Sequence, residues 1–487
     1  MSLVGRDEEI QILENLYGSK KPEFLALYGR RRIGKTYLIR QFFANKKSLF
    51  FNTTGSKDGT LKEQINHFTD EISEVFYKGI KLQATKSWDE TFKLLTRAIK
   101  EQAPKDKKIV LFFDELPWMA TKNSRLLQAL DYYWNQHWSN DGRILLIVCG
   151  SSASWIVKKI INNKGGLHNR ITRQIRLEPF NLSQTKQFLM DMGIKLSNRH
   201  ILLLYMALGG IPYYLTQLEK GLSACELIER IAFSKNSFLL NEFDNLFSSL
   251  FDDGKTHVEI VKLIAKNHYG IGERKLLEEL GQYSVGTNGK RRLEALEQAG
   301  FIRSFKPLFH KKKGTYYRVI DEYTLFYLRW LEPIKSSLQQ ESLDPGNWQA
   351  MQTTPEWYSW QGYAFENVCC KHLSKIRRAL NINPTAMAGT WRYAPHKHSK
   401  QRGAQIDLLF DRKDDAISIC EIKYTNEPFE LTKDYVEALN RKLDVFRENT
   451  RTKKQLFISM VSANGLKNNY YVEDLISGVV TLDDLFL

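Results

Sequence analysis

Two periods of apolar and polar residues run along this chain, and most of its elements can be read from them. Residues 24–28, 109–113 and 144–149 are short, continuous apolar runs, the pattern of strands buried on both faces of a parallel sheet. Helical spacing places Ile10, Leu13 and Leu16 on one face, continues a helix beyond Thr36, and alternates amphipathic helices with polar loops over 61–103. Gly209-Gly210-Ile211-Pro212 follows another helix and predicts a Schellman stop with a rigid turn. Short helices are expected at 259–266, 273–280 and 290–300, then alternating strands at 301–305 and 315–319. Residues 336–355 are polar and read as a linker. Beyond them come a helix from Trp360 and strands at 403–410 and 416–423.

Size and composition narrow the class. The 487 residues suggest two to four domains, and 43% hydrophobic with 12% aromatic residues describes a folded chain. No apolar run approaches the roughly 20 residues of a membrane helix, and the polar N-terminus lacks signal-peptide layout, so no membrane role is expected. Five cysteines without C-x-x-C spacing indicate neither a zinc site nor a disulfide framework, and fit a cytoplasmic location. A net charge of +16 is compatible with a polyanionic partner or with a merely soluble basic protein.

The first candidate chemistry is GRRRIGKT, from Gly29 through Arg30, Arg31, Arg32, Ile33, Gly34 and Lys35 to Thr36. It has the spacing of a phosphate-binding P-loop between a strand and a helix. Its glycines let backbone N–H groups turn toward phosphates, Lys35 supplies a point charge, and the Thr36 hydroxyl is a Mg²⁺ ligand. The apolar run ending in Asp114 and Glu115 places Asp114 to hold Mg²⁺ and Glu115 to activate water at the carboxyl end of a strand. Ser151, after the next run, is either a γ-phosphate sensor or part of an ordinary strand-to-helix turn. Arg170 is a candidate for the γ-phosphate in cis or in trans, the latter requiring a homo-oligomer.

Val4-Gly5-Arg6, GRRRIGKT, LFFDE, VCGSS, the Arg170/Arg173 pair before LEPF and GGIP recur in this order in archaeal-type ATPases. Residues 1–240 therefore resemble that family, a STAND-like branch of the AAA+ superfamily. The resemblance implies ATP as cofactor and a nucleotide-sensing role for Pro212 in a helical lid.

Three short helices and a hairpin spell a winged helix over 251–335. Residues 253–320 hold 14 Lys/Arg against 7 Asp/Glu. Lys290, Arg291 and Arg292 on the third helix and Lys311, Lys312 and Lys313 in the wing are candidate phosphate contacts, with DNA the expected nucleic acid. A lid or protein-docking module is the plainer alternative.

In the C-terminal third, Asp407 lies in one strand and Glu421 and Lys423 share a face of the next. With Glu366 on the preceding helix, this ordered set resembles the PD-(D/E)xK nuclease fold, with Ile406 where its motif has proline and residues 431–448 matching its following helix. The resemblance implies metal ligation by Asp407, Glu421 and Glu366, and catalysis by Lys423. A similar uncharacterised domain is often fused to archaeal-type ATPases.

The expected architecture is α/β: a P-loop ATPase core (1–180), a helical lid (181–250), a winged helix (251–335) and a restriction-endonuclease-like domain (350–487). The expected function is ATP-controlled binding and metal-dependent cleavage of nucleic acid. A non-nucleolytic switch with an inactive docking domain is the alternative.

Overall fold

The apolar runs form the middle of a five-stranded parallel sheet in a computed structural model describing residues 3–162, 167, 169–281, 288–310, 314–340, 347–395 and 402–487. Strands β1 (Glu23–Tyr28), β2 (Ser48–Thr54), β3 (Lys108–Asp114), β4 (Ile144–Gly150) and β5 (Arg173–Arg176) lie in the order β2-β3-β4-β1-β5. All their pairings are parallel. Strand β2 is absent from the sequence reading because only Leu49, Phe50 and Phe51 are apolar before polar residues resume. Helices Leu61–Tyr77 and Trp88–Gln102 begin at Thr60 and Ser87, whose side chains accept the N–H of Glu63 and Glu90. Their apolar faces close on the sheet through Phe68, Phe92, Phe51, Phe113 and Trp138.

The topology decides where chemistry gathers. Strand β4 lies between β1 and β3, so the carboxyl ends of three neighbouring strands carry the phosphate loop, Ser151, and the Asp114-Glu115 pair.

The chain divides into two units. The first is Met1–Pro179 with Leu250–Asp252 and Glu294–Gly300; the second is Phe180–Ser249, Asp253–Leu293 and Phe301–Leu487. In the second unit, helix Asn198–Leu208 stops at Gly209, with φ 64° and ψ −176°. That is not the left-handed helical geometry of the expected Schellman stop: the chain leaves extended. Gly210 then passes so close to Phe180 that a Cβ would lie 1.8 Å from its carbonyl oxygen. Close approach, rather than helix capping, explains the second glycine.

Helices Gly254–Ala265, Glu273–Leu280 and Asn288–Gln298 accompany a three-stranded antiparallel sheet in the order β6-β8-β7, made of β6 (Ile271–Gly272), between the first two helices, and β7 (Ile302–Phe305) and β8 (Tyr316–Val319), after the third. The expected linker at 336–355 is helical in part, over Lys335–Gln340 and Asn347–Met351. Trp348 explains the difference: its ring is fully buried, 4.5 Å from Phe233 and edge-on to Trp330 and Trp357. One large aromatic side chain fastens a stretch that is otherwise polar.

Helix Pro355–Lys371 leads into β9 (Met387–Tyr393), β10 (Ala404–Asp411), β11 (Ala416–Lys423), β12 (Gln455–Ser462) and β13 (Ile476–Val480). Their order is β13-β12-β11-β10-β9, antiparallel among β9, β10 and β11 and parallel from β11 to β13. Helix Lys433–Thr450 crosses from β11 to β12, packing Val445 and Phe446 against Ile417, Ile419 and Leu409. Among the described residues no helix is long and apolar enough to cross a membrane.

Candidate functional site

The phosphate loop is shaped chiefly by backbone. Gly34 caps helix Lys35–Phe43 at φ 88° and ψ 25°, and Arg32 before it is also at positive φ (71°). Gly29 is irreplaceable for space: a Cβ there would lie 2.4 Å from the Leu177 carbonyl oxygen. The first N–H groups of the helix have no partner within it and, with its dipole, favour an anion. Lys35 is buried and donates to the carbonyls of Gly29 (3.1 Å) and Arg30 (3.0 Å), so its ammonium rests inside the loop. Arg30 and Ile33 are buried, while Arg31 and Arg32 are half-buried.

Around this loop the other motif residues converge. The Thr36 hydroxyl donates to Asp114 Oδ2 at 2.7 Å. Two oxygen-bearing side chains in contact offer the hard donors that Mg²⁺ prefers. Glu115 adopts a left-handed conformation (φ 47°, ψ 47°), and its Oε2 accepts both the N–H and the hydroxyl of Ser151 at 2.9 Å. The structure thus brings Ser151 to the candidate base and holds that base with two donors.

Arg6 also supports the loop. It is buried and donates to the carbonyls of Ile33 (3.2 Å) and Glu178 (2.8 Å). Burial lowers its pKa, though Glu9 beside it opposes the shift. In the sequence Arg6 stands only as part of a family pattern; its role comes from a buried arginine's need for partners.

Arg170 is placed differently. Thr172 donates to the Phe24 carbonyl, so Arg170 precedes β5 at the amino edge of the sheet. The phosphate loop leaves from the carboxyl edge, after Tyr28. Four residues of strand separate the two levels, about 13 Å at about 3.3 Å per residue. Arg170 is exposed and is not brought to its own chain's loop. Pro212 belongs to the second unit, at the start of helix Pro212–Leu215.

In the second unit, Lys290 pairs with Glu273 (3.1 Å) and Arg292 with Asp253 (2.8 Å), while Arg291 is exposed. Lys311, Lys312 and Lys313 lie outside the described residues.

The carboxylates of the C-terminal sheet do meet. The antiparallel register Leu408↔Cys420 sets Asp407 opposite Glu421 on one face. Asp407 accepts from Gln405 at 3.0 Å. Glu421 is buried and accepts from Tyr435 at 3.0 Å, with Lys423 at 3.3 Å and Lys442 in a short ion pair. Burial and the Glu421 charge raise Asp407 above the usual carboxylate range. Burial would also raise Glu421, but Lys442, Lys423 and Tyr435 outweigh it and hold Glu421 low. Loss of solvent, and then the nearby Asp407 charge, push the half-buried Glu366 up to about 8. Among the described residues, however, no three His, Cys, Asp or Glu side chains are grouped closely enough to hold a metal ion. The expected three-carboxylate ligand set is therefore not grouped, and Glu421 is engaged by Lys423 and Lys442 instead. Tyr435 and Lys442 were missed. Yet Tyr435, Leu439, Lys442 and Phe446 share one helical face, and a lysine within an apolar stripe was the available signal.

Comparison with known proteins adds the family context. Residues 3–218 match a family model described as an ATPase domain predominantly from Archaea. An uncharacterised protein of Methanocaldococcus jannaschii is 27% identical over 412 residues, covering 83% of each chain. An uncharacterised ATP-binding protein of that organism is 50% identical over 44 residues, 9% of this chain and 75% of its own. Among solved structures, the Walker-type ATPase of Pyrococcus abyssi is 18% identical with a TM-score of 0.46, over 67% of this chain and 96% of that one. The Aeropyrum pernix ORC2 protein is 14% identical with a TM-score of 0.43, over 70% and 95%. The family match and the loop geometry agree: this chain carries an ATP-binding P-loop ATPase domain of the archaeal type.

Proposed function

We propose that ATP binding and hydrolysis in the first unit control nucleic-acid binding and metal-dependent phosphodiester cleavage by the second, with DNA the expected substrate. In the first unit, Lys35 and the loop N–H groups hold the β- and γ-phosphates, while Thr36 and Asp114 hold Mg²⁺. Glu115, oriented by Ser151, accepts a proton from the attacking water, and Ser151 is positioned to register the γ-phosphate. Arg170 would serve a neighbouring copy, and Pro212 belongs to a helical lid over 181–250. Residues 251–335 act as a winged helix, with Arg291 an exposed candidate phosphate contact, whereas Lys290 and Arg292 are held in ion pairs.

The observation that carries the nuclease reading is the pairing of Asp407 with Glu421 across β10 and β11, beside Lys423. A helix, three antiparallel strands, a helix and a parallel strand in that order support a nuclease-like domain over 350–487. Two carboxylates that repel each other, one buried and one half-buried, make a donor set that a divalent cation would relieve. Asp407 and Glu421 would hold it, and Glu366 would orient the site. The ion would supply an activated water and charge neutralisation at the phosphate. Lys423 would then stabilise the negative charge developing there. Manganese-dependent nicking of a supercoiled plasmid tests this reading. Asp407→Ala should abolish nicking without lowering Tm, and nicking that survives the substitution sinks the assignment.

One observation favours a second reading, a switch that docks without cutting: Lys442 and Tyr435 already satisfy Glu421. Absence of cleavage on every substrate, with nucleic-acid binding intact, would select it.

A further inference from the structure

A cavity of about 1600 Å³ opens within the second unit. It exceeds the about 300–1,000 Å³ typical of small-molecule pockets. One wall comes from the helical and hairpin elements over 259–329, the other from helix Pro355–Lys371 and strands β9 and β10. The two walls are tied by Leu308 N–H to the Thr390 carbonyl (3.0 Å) and by a His310 ring nitrogen at 2.9 Å from the Arg392 carbonyl oxygen. Asp407 and Glu366 line it, so the cavity reaches the carboxylate cluster.

Its lining is rich in flat rings and guanidinium groups. His268 and Tyr363 are stacked, 4.3 Å between ring centres and 7° between planes. Tyr269 stands edge-on to Tyr363 at 6.1 Å and remains 43% exposed, with the Arg392 guanidinium 5.4 Å from its ring centre. Arg318 lies over Phe305 at 5.5 Å, and its buried Nε has no hydrogen-bond partner among the described residues.

Rings of this kind can be used only by bases that are not already stacked and paired. In a duplex each base face is covered by its neighbour, whereas an unpaired strand offers its bases to aromatic side chains and its phosphates to arginine. Resting on the nuclease reading above, we propose that this cavity takes single-stranded nucleic acid, its bases continuing the His268–Tyr363 and Tyr269 platform and its phosphates meeting Arg318 and Arg392. The strand then leads a phosphodiester to Asp407. The acidic residues in the same lining offset the arginines, so a divalent ion on the carboxylates should strengthen binding of the strand.

Fluorescence anisotropy with the full chain tests this, using a labelled 12-nucleotide single strand and its blunt duplex in Ca²⁺ or in EDTA. The single strand should bind at least about tenfold more tightly than the duplex, and more tightly in Ca²⁺ than in EDTA. Loss of one stacked base costs about 1–3 kcal/mol, so Tyr363→Ala should weaken single-strand binding by at least about fivefold. Tyr363→Phe, which keeps the ring, should bind as the parent does and controls for folding. Equal or tighter duplex binding, or unchanged single-strand binding by a folded Tyr363→Ala, overturns the inference. Cleavage of duplex that needs Asp407 but not Tyr363 would leave the nuclease reading standing without this one. Ring-dependent single-strand binding without cleavage in Mn²⁺ would sustain this inference and overturn the nuclease reading.

Discussion

In the phosphate loop, charge is handled by eight consecutive residues whose backbone sets the geometry, with Gly29 and Gly34 in conformations or spaces that other residues could not share. In the carboxylate cluster, charge is handled by side chains from a helix, two strands and a second helix, each holding another in check. Lys35 rests on carbonyls that a phosphate can readily replace, whereas Glu421 is bound by two lysines and a tyrosine. The first site is preorganised for its ligand; a metal at the second would have to displace an internal cation. A backbone-built site is ready in the folded state, while a side-chain cluster is governed by electrostatic competition.

The sharpest break in this comparison is to remove charge from the ready site. Lys35→Ala should weaken binding of a fluorescent ATP analogue by at least about a hundredfold, since a charged hydrogen bond to phosphate is lost in an enclosed site. Glu115→Gln should keep that affinity but slow phosphate release by about 10²–10⁴-fold, the range for loss of a general base. Parental turnover by Glu115→Gln would mean that another group takes the proton.

The next test removes the competitor from the second site. Lys442→Met retains the stem but not the ammonium, so Glu421 should bind Mn²⁺ about tenfold more tightly, read by electron paramagnetic resonance. Unchanged Mn²⁺ affinity would show that Lys442 does not guard the carboxylate.

The contrast also explains what was legible from sequence. The P-loop, Asp114 and Glu115 could be read because local spacing along a strand, loop and helix fixes their geometry. Arg6 could not, since its role depends on two backbone carbonyls 27 and 172 residues away. The strands bearing Asp407 and Glu421 were visible from their apolar patterns. Lys442 was hidden because it reaches Glu421 only after a helix crossover. Strands β2, β5, β6, β9, β12 and β13 escaped for a related reason: their partners, rather than their own periodicity, make them strands.

Smaller effects test the surroundings of each region. His372 is buried, with its Nε2 accepting the Leu182 N–H at 3.1 Å and a ring contact to the Val368 carbonyl at 2.8 Å. Burial lowers its pKa from 6.5 to about 4, with the Val368 carbonyl opposing. Below pH 6.5 the unfolded chain therefore binds more protons than the folded one, and stability falls as pH drops toward 4. Between pH 7 and 5 this one histidine should cost about 2 kcal/mol, measured as a shift in urea midpoint that His372→Gln removes. Smallest of all, replacing Lys290, Arg291 and Arg292 together should reduce the salt dependence of nucleic-acid binding by nearer one unit of slope than three. Two of those cations are already paired with Glu273 and Asp253.

Glu115 occupies a backbone conformation that costs a non-glycine residue about 1–2 kcal/mol. The residue assigned to catalysis is therefore also a place where the domain forgoes stability. Glu115→Gly should abolish turnover without raising the melting temperature, because the strain it relieves is offset by the buried Ser151 N–H and hydroxyl that lose their acceptor.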